Sequence, residues 1–158
     1  AKYAPGQKWQ FQGGATLQKA LYDEAVQWTE NSVNTNQNFF RSPNVYGNLM
    51  TTFSPKKAFQ NNLSLVYTGS MYVPHFAGYI TTDTLEKTGH FFEVNIKSSY
   101  VFEVKEKFQI QLSGGIQNLL NSYQSDFDSG IDRDASYIYG PSRPRTFFIG
   151  LKFGTDLL

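Results

Sequence analysis

In the stretch "FEVNIKSSYVFEV", residues 92 to 104, the charged residues Glu93, Lys97 and Glu103 keep to one parity and Phe92, Val94, Ile96, Tyr100, Phe102 and Val104 to the other. A period of two held over that length commits the segment to a β-strand with one apolar and one polar face. The alternation recurs along the chain. Trp9, Phe11, Ala15, Leu17 and Leu21 oppose Gln10, Gln12, Thr16 and Gln18; Val45, Leu49 and Phe53 oppose Asn48 and Thr52; Leu63, Leu65, Tyr67 and Met71 share a third face. Phe108, Ile110, Leu112 and Ile116 oppose Gln109, Gln111 and Ser113, and Phe147, Ile149, Leu151 and Phe153 oppose Thr146 and Lys152. No segment of comparable length carries a helical period. The expected fold class is all-β, an antiparallel up-and-down meander of about six long strands.

The connections come in two kinds. "SPKKA" and "KEK" are tight polar turns, whereas roughly 23 to 43, 73 to 90 and 120 to 143 are long. Each long stretch exceeds the usual loop in a compact domain. Successive connections of a meander fall on opposite ends of the sheet, so the short turns are expected at one end and the long loops at the other.

Strand length separates the two architectures such a pattern allows. The strands run about 9 to 13 residues, against about 5 to 6 in soluble sheets and about 9 to 11 for a tilted strand that crosses a bilayer. Trp9, Phe11, Phe53, Phe59, Phe102, Phe108 and Phe153 all lie near the short-turn end on the apolar parity. Such a ring is expected where a barrel wall meets lipid headgroups, so these residues are read as a lipid-facing aromatic girdle. The polar parity, mostly Gln, Asn, Ser and Thr, suits a wet or plugged lumen. A soluble β-sheet binding domain is the alternative.

Composition removes other classes. The 158 residues include no cysteine, which excludes disulfides, thiolate metal sites and cysteine nucleophiles. A net charge of +1 with 17% charged residues lacks the basic face that nucleic-acid binding needs, so no nucleic acid is expected as a partner. Aromatic residues make up 16% of a chain whose mean hydropathy is negative. No apolar run reaches the ~20 residues of a spanning helix. The chain opens on Ala1 rather than Met and is expected to be a piece of a longer protein.

Two segments carry a family likeness: "GGIQNLLNSYQ" on the penultimate strand, and "YGPSRPRTFFIGLKF", where an arginine-rich loop end feeds the last strand. With "SLVYTGSMYVPHFAGY" they resemble the carboxy-terminal end of TonB-dependent outer-membrane receptors, of the Bacteroidetes type, over most of residues 60 to 154. The resemblance implies that residues 1–158 are a segment of a larger transmembrane β-barrel, about 22-stranded, with the plug domain and earlier strands absent. It implies a place in the outer membrane of a Gram-negative bacterium and TonB-coupled import of a scarce nutrient of the iron-siderophore, haem or cobalamin type. Implied partners are outer-membrane lipid, the rest of the barrel with its plug, the TonB system through the absent amino-terminal part, and the small nutrient ligand. The chain departs from the family by continuing past Phe153 with "GTDLL". On its own it would have two open edge strands, so the isolated fragment is expected to oligomerise. A passive porin-like or other outer-membrane barrel is the second alternative.

Conspicuous polar residues concentrate in "NSYQSDFDSGIDRDASYIYGPSRPRT". Asp126, Asp128, Asp132 and Asp134 have calcium-loop spacing, but Ile131 and Tyr137 stand where such a loop needs glycine and an acid. No metal is assigned. Arginine forks satisfy carboxylates, so the four aspartates with Arg133, Arg143 and Arg145 are read as a structural ion-pair loop. Arg133, Tyr137 and Tyr139, with His75 from the middle loop, are the candidates for ligand capture, because binding residues concentrate on loops of a rigid wall. His75 and His90 are otherwise read as polar surface. Glu93 and Glu103 lie some 30 Å apart at about 3.3 Å per residue, too far to act on one substrate. No enzyme activity and no cofactor are expected.

Overall fold

The computed structural model describes residues 1–30, 35–105 and 108–157. Among these the chain is all-β, with no helix. The strands are β1 (Lys2–Tyr3), β2 (Trp9–Leu17), β3 (Leu21–Gln27), β4 (Thr35–Asn38), β5 (Val45–Lys56), β6 (Phe59–Thr68), β7 (Tyr72–His75), β8 (Thr84–Lys87), β9 (Phe91–Lys105), β10 (Phe108–Gln117) and β11 (Thr146–Gly154). One large antiparallel sheet carries the order β1-β2-β5-β6-β9-β10-β11. It is open, with β1 and β11 at its edges. The pairs β3-β4 and β7-β8 are separate two-stranded hairpins. They occupy the first two long connections, which the sequence pattern marks only as loops.

Register fixes which residues share a face, because directly opposed residues in an antiparallel ladder point the same way. One row runs Trp9, Phe53, Asn61, Ser98, Gly114 and Ile149. On the same face lie Phe11, Leu49, Leu63, Leu65, Val94, Ile96, Leu112 and Leu151. The other face carries Gln10, Thr52, Asn62, Lys97 and Gly115, with Gln12, Ser64, Asn95 and Gln117 above them. One face is thus mainly apolar and the other mainly amide and hydroxyl. The alternation read from the sequence survives in three dimensions almost strand for strand.

Two residues leave the places the alternation gives them. Leu21 does not extend the first strand but opens the β3-β4 hairpin opposite Asn38. The partner strand stops at Val45, preceded by Asn44 and Pro43, and proline has no N–H to continue a ladder. Met71 lies past the end of β6 and is buried under the loops. At the other end, Lys57 and Ala58 close the turn between β5 and β6. In the "KEK" turn, Glu106 and Lys107 lie outside the described residues.

The sheet is a single layer, and nothing among the described residues covers its apolar face. Ile149 is 81% and Phe147 70% exposed, and Phe102, Phe108 and Phe153 are exposed as well. A soluble sandwich would bury such side chains at about 1.5–3 kcal/mol each. The hydrophobic cluster of the molecule lies instead at the long-loop end, where Met71, Val73 and Tyr137 are buried together with Tyr139 packed against them.

Candidate functional site

The loop end is a three-part assembly with the β7-β8 hairpin in the middle. Pairing of Tyr72 with Lys87, Val73 with Glu86, Pro74 with Leu85 and His75 with Thr84 gives the hairpin two faces. Val73, His75, Thr84 and Glu86 share one face, and Tyr72, Pro74, Leu85 and Lys87 the other. The first face meets the segment 118–145 and the region of the second meets the β3-β4 hairpin, through a bridge from Phe40 to Tyr72 and the Trp28–Phe76 ring contact.

Segment 118–145 is closed at its neck by two asparagines in the left-handed region, at φ 50° for Asn118 and 54° for Asn121. Asparagine is among the few residues that tolerate this conformation. The Asn118 side chain donates to the carbonyls of Ser122 and Arg143 and accepts from Ser122 N–H, and its backbone N–H donates to the Asn95 side chain. Asn121 accepts from Arg145 N–H at 2.9 Å. Further in, the amide of Gln124, 1% exposed, donates to the Tyr137 carbonyl at 3.0 Å and accepts from Tyr139 N–H at 2.9 Å. Gly140 N–H reaches the same oxygen at 3.3 Å. Gly140 also seats the Phe91 ring, whose edge occupies the place a Cβ would take.

Among the described residues, each aspartate of the segment except Asp132 has a side-chain partner, and none of those partners is an arginine. Asp126 accepts from the hydroxyls of Tyr137 at 3.1 Å and Tyr139 at 2.7 Å. Asp128, its side chain 2% exposed, pairs through both oxygens with Nε2 of His75 at 3.0 Å and also accepts from Asp134 N–H. Asp134 accepts from the N–H groups of Phe76 and Ser136 and from the Ser136 hydroxyl. The ion-pair loop expected from Asp126, Asp128, Asp132 and Asp134 with Arg133, Arg143 and Arg145 is therefore not formed among the described residues. Arg133 donates to the Gly130 carbonyl, Arg143 and Arg145 enter the network through their backbones, and the basic side chain that reaches an aspartate of the segment among the described residues is the His75 imidazole, at Asp128. Tyrosines, the imidazole and main-chain N–H groups stand closer to the carboxylates because the segment folds back across β7-β8.

The electrostatics follow from burial. Burial pushes the Tyr139 phenol up to about 12, and its hydrogen bond to Asp126 and the charge of that carboxylate push the same way. Tyr137 is raised further, by burial first and then by Asp126. For Asp134, burial acts to raise the carboxyl, but the hydrogen bonds from Phe76 and Ser136 outweigh it and hold the group below the ordinary carboxylate range.

Of the capture candidates, His75 and Tyr137 are buried and stacked on each other, with ring centroids 3.6 Å apart and planes at 8°. They belong to the interior of the loop assembly rather than to its surface. Tyr139 is partly buried beside them, and Arg133 alone is exposed. Among the described residues no group of three or more acidic or imidazole side chains is placed to hold a metal ion. Sequence reading missed Gln124, Asn118 and Arg41. Arg41 donates to the carbonyls of Ser136 at 2.6 Å and Ile138 at 2.8 Å, which ties the first long connection to the third. Only the asparagines left a readable trace, as turn-formers in "NLLN".

The seven aromatics of the girdle lie on one face of the sheet by register and parity, toward the short-turn end. Trp9 stacks on Phe53 at 4.2 Å and on Phe11 at 5.7 Å, and Phe108 stacks on Phe153 at 6.3 Å. Glu93 and Lys97 lie on the opposite, polar face, where Glu93 accepts from the Asn95 amide at 2.7 Å. In comparisons with known proteins, no family model, no curated protein and no solved structure matches the chain.

Proposed function

We propose that the chain is the carboxy-terminal part of the barrel wall of a TonB-dependent receptor in a Gram-negative outer membrane, importing a scarce nutrient of the iron-chelate, haem or cobalamin type. The observation that carries this reading is the single-layer sheet with two unlike faces: an uncovered apolar face with an aromatic row at one end, and a polar face of amides and hydroxyls. A lipid-facing wall around a wet or plugged lumen calls for that combination, while a sandwich calls for a second layer. In this reading the short turns face the periplasm and the folded loop assembly faces outward, where cargo arrives. The remaining strands, the plug and the TonB-binding segment belong to the rest of the protein, and no catalytic step is assigned.

Nitroxide accessibility in the intact protein tests the wall. Labels at Leu65 and Leu151 are expected to collide with oxygen and to be shielded from a polar nickel chelate, and a label at Ser64 to show the reverse. Equal chelate access at all three sites would remove the membrane reading. For topology, a cysteine at Ser129 is expected to react with an impermeant maleimide on intact cells and one at Lys57 to resist it. The opposite pattern inverts the orientation.

A further inference from the structure

The Lys87 face of the β7-β8 hairpin has its own cavity, on the side away from His75. A polar cleft of about 250 Å³ opens between the β3-β4 hairpin, the segment before β5 and the start of β7, and its walls include Asn38, Ser42, Asn44, Ser70, Tyr72 and Lys87. That volume lies just under the ~300 Å³ lower end of small-molecule sites, room for a compact molecule of about a dozen heavy atoms. Polar groups dominate the lining, so an apolar guest would leave them without partners.

Three features give the cleft a chemical preference. Among the described residues, Lys87 has no carboxylate within ion-pair distance. Its neighbour Glu86 pairs with Val73 and so points to the opposite face of the hairpin, toward Tyr137 and Tyr139. The Lys87 side chain, on an exposed residue, lines the cleft with its ammonium 6.0 Å from the centroid of the Tyr72 ring, its partner across the hairpin. Finally, Asn44 and Ser70, both exposed, line the cleft, and among the described residues neither side chain is taken up by a hydrogen bond to the protein, so both are open to a ligand. A cation beside unspent amide and hydroxyl groups matches a ligand that carries one carboxylate and several hydroxyl oxygens.

We infer that the cleft between the two loop hairpins is a binding site for a small hydroxycarboxylate, with Lys87 taking the carboxylate and Asn44 and Ser70 its hydroxyls. The inference deepens the reading of the loop end as the cargo-facing surface and rests on it for the ligand's purpose. The chemistry of the cleft stands apart from the wall's position in a membrane.

The test uses the intact protein in detergent and reads binding calorimetrically, with gluconate and its neutral counterpart gluconamide as probes. Gluconate is expected to bind at least about tenfold more tightly than gluconamide, the two sharing every hydroxyl and differing in one charge. Lys87→Gln should bring the two affinities together, Lys87→Arg should keep the preference, and Asn44→Ala should weaken both probes. Equal affinities in the unsubstituted protein, or a preference that survives Lys87→Gln, overturns the site. If Lys87→Gln disturbed the hairpin, the His75–Tyr137 stack would report it as lost protection of the β7 amides, and Lys87→Arg would then decide the matter. Because binding is read without transport, gluconate binding in a protein that fails the nitroxide test leaves the site standing and removes only the receptor reading.

Discussion

Replacing Gln124 by methionine keeps nearly the same side-chain volume and removes both ends of the amide. Its nitrogen donates to the Tyr137 carbonyl at 3.0 Å and its oxygen accepts from Tyr139 N–H at 2.9 Å, with Gly140 N–H behind at 3.3 Å. The side chain is fully buried, so water cannot take over these partners while the segment stays closed. A buried donor or acceptor left unsatisfied costs about 1–3 kcal/mol, and the two short bonds together give about 2–6 kcal/mol against the closed form. At about 1.4 kcal/mol per tenfold, the open population should rise at least about 25-fold. Hydrogen exchange in the intact protein reads this directly: the amides of Tyr139 and Gly140 should exchange faster by at least that factor, while those of β6, β9 and β10 keep their rates. Ser125→Ala, at an exposed neighbour, serves as the control and should stay within about 0.5 kcal/mol. Unchanged exchange at Tyr139 in Gln124→Met would refute the claim that this amide holds the segment shut.

Alkaline titration gives a second check. Because burial and Asp126 raise both phenols in the folded state, their stabilising contribution is complete below the ordinary tyrosine value of about 10 and is lost as pH rises through about 12 for Tyr139. Absorbance at the tyrosinate band should show two late-titrating phenols, and Asp126→Asn should bring them down toward the ordinary range. On the sheet, Phe108→Arg is expected to impair insertion by at most a few kcal/mol near the interface, whereas Gln109→Leu on the other face is expected to be tolerated; the reverse result in a folding-in-liposome assay inverts the facing. Gly140→Ala should displace the Phe91 ring and lower the protection of the segment 137–140, an effect of about 1–3 kcal/mol that a Phe91→Leu background should relieve.

The large sheet was legible because its physics is local. Parity alone orders Phe92, Val94 and Ile96 against Glu93, Asn95 and Lys97, and the register then preserves that order across neighbouring strands. The loop end was not legible, for two reasons. Aspartates beside arginines in "DFDSGIDRD" read naturally as ion pairs, yet their partners, His75, Tyr137, Tyr139 and Phe76 N–H, are set by the way one long connection folds across another. The hairpins β3-β4 and β7-β8 are also short, and strands such as "TNQN" and "YVPH" have too few residues for an alternation to be read. The same shortness hid Lys87, whose position opposite Tyr72 appears only once the pairing is known.

The staple from Arg41 to Ile138 joins residues 97 positions apart, and the pair His75 with Asp128 joins residues 53 apart. The turn from β5 to β6, by contrast, closes a ladder between strands adjacent in the chain. Contacts of long sequence separation carry the larger closure entropy and form late. Assembly should therefore proceed in two stages, with the strands zipping through their neighbours first and the loop crown locking last. The converse holds for opening: the crown can come apart and re-form many times within the lifetime of one intact ladder. A slow sheet with a fast crown gives the protein two clocks, and the loop end can rearrange without the strands beneath it ever unpairing.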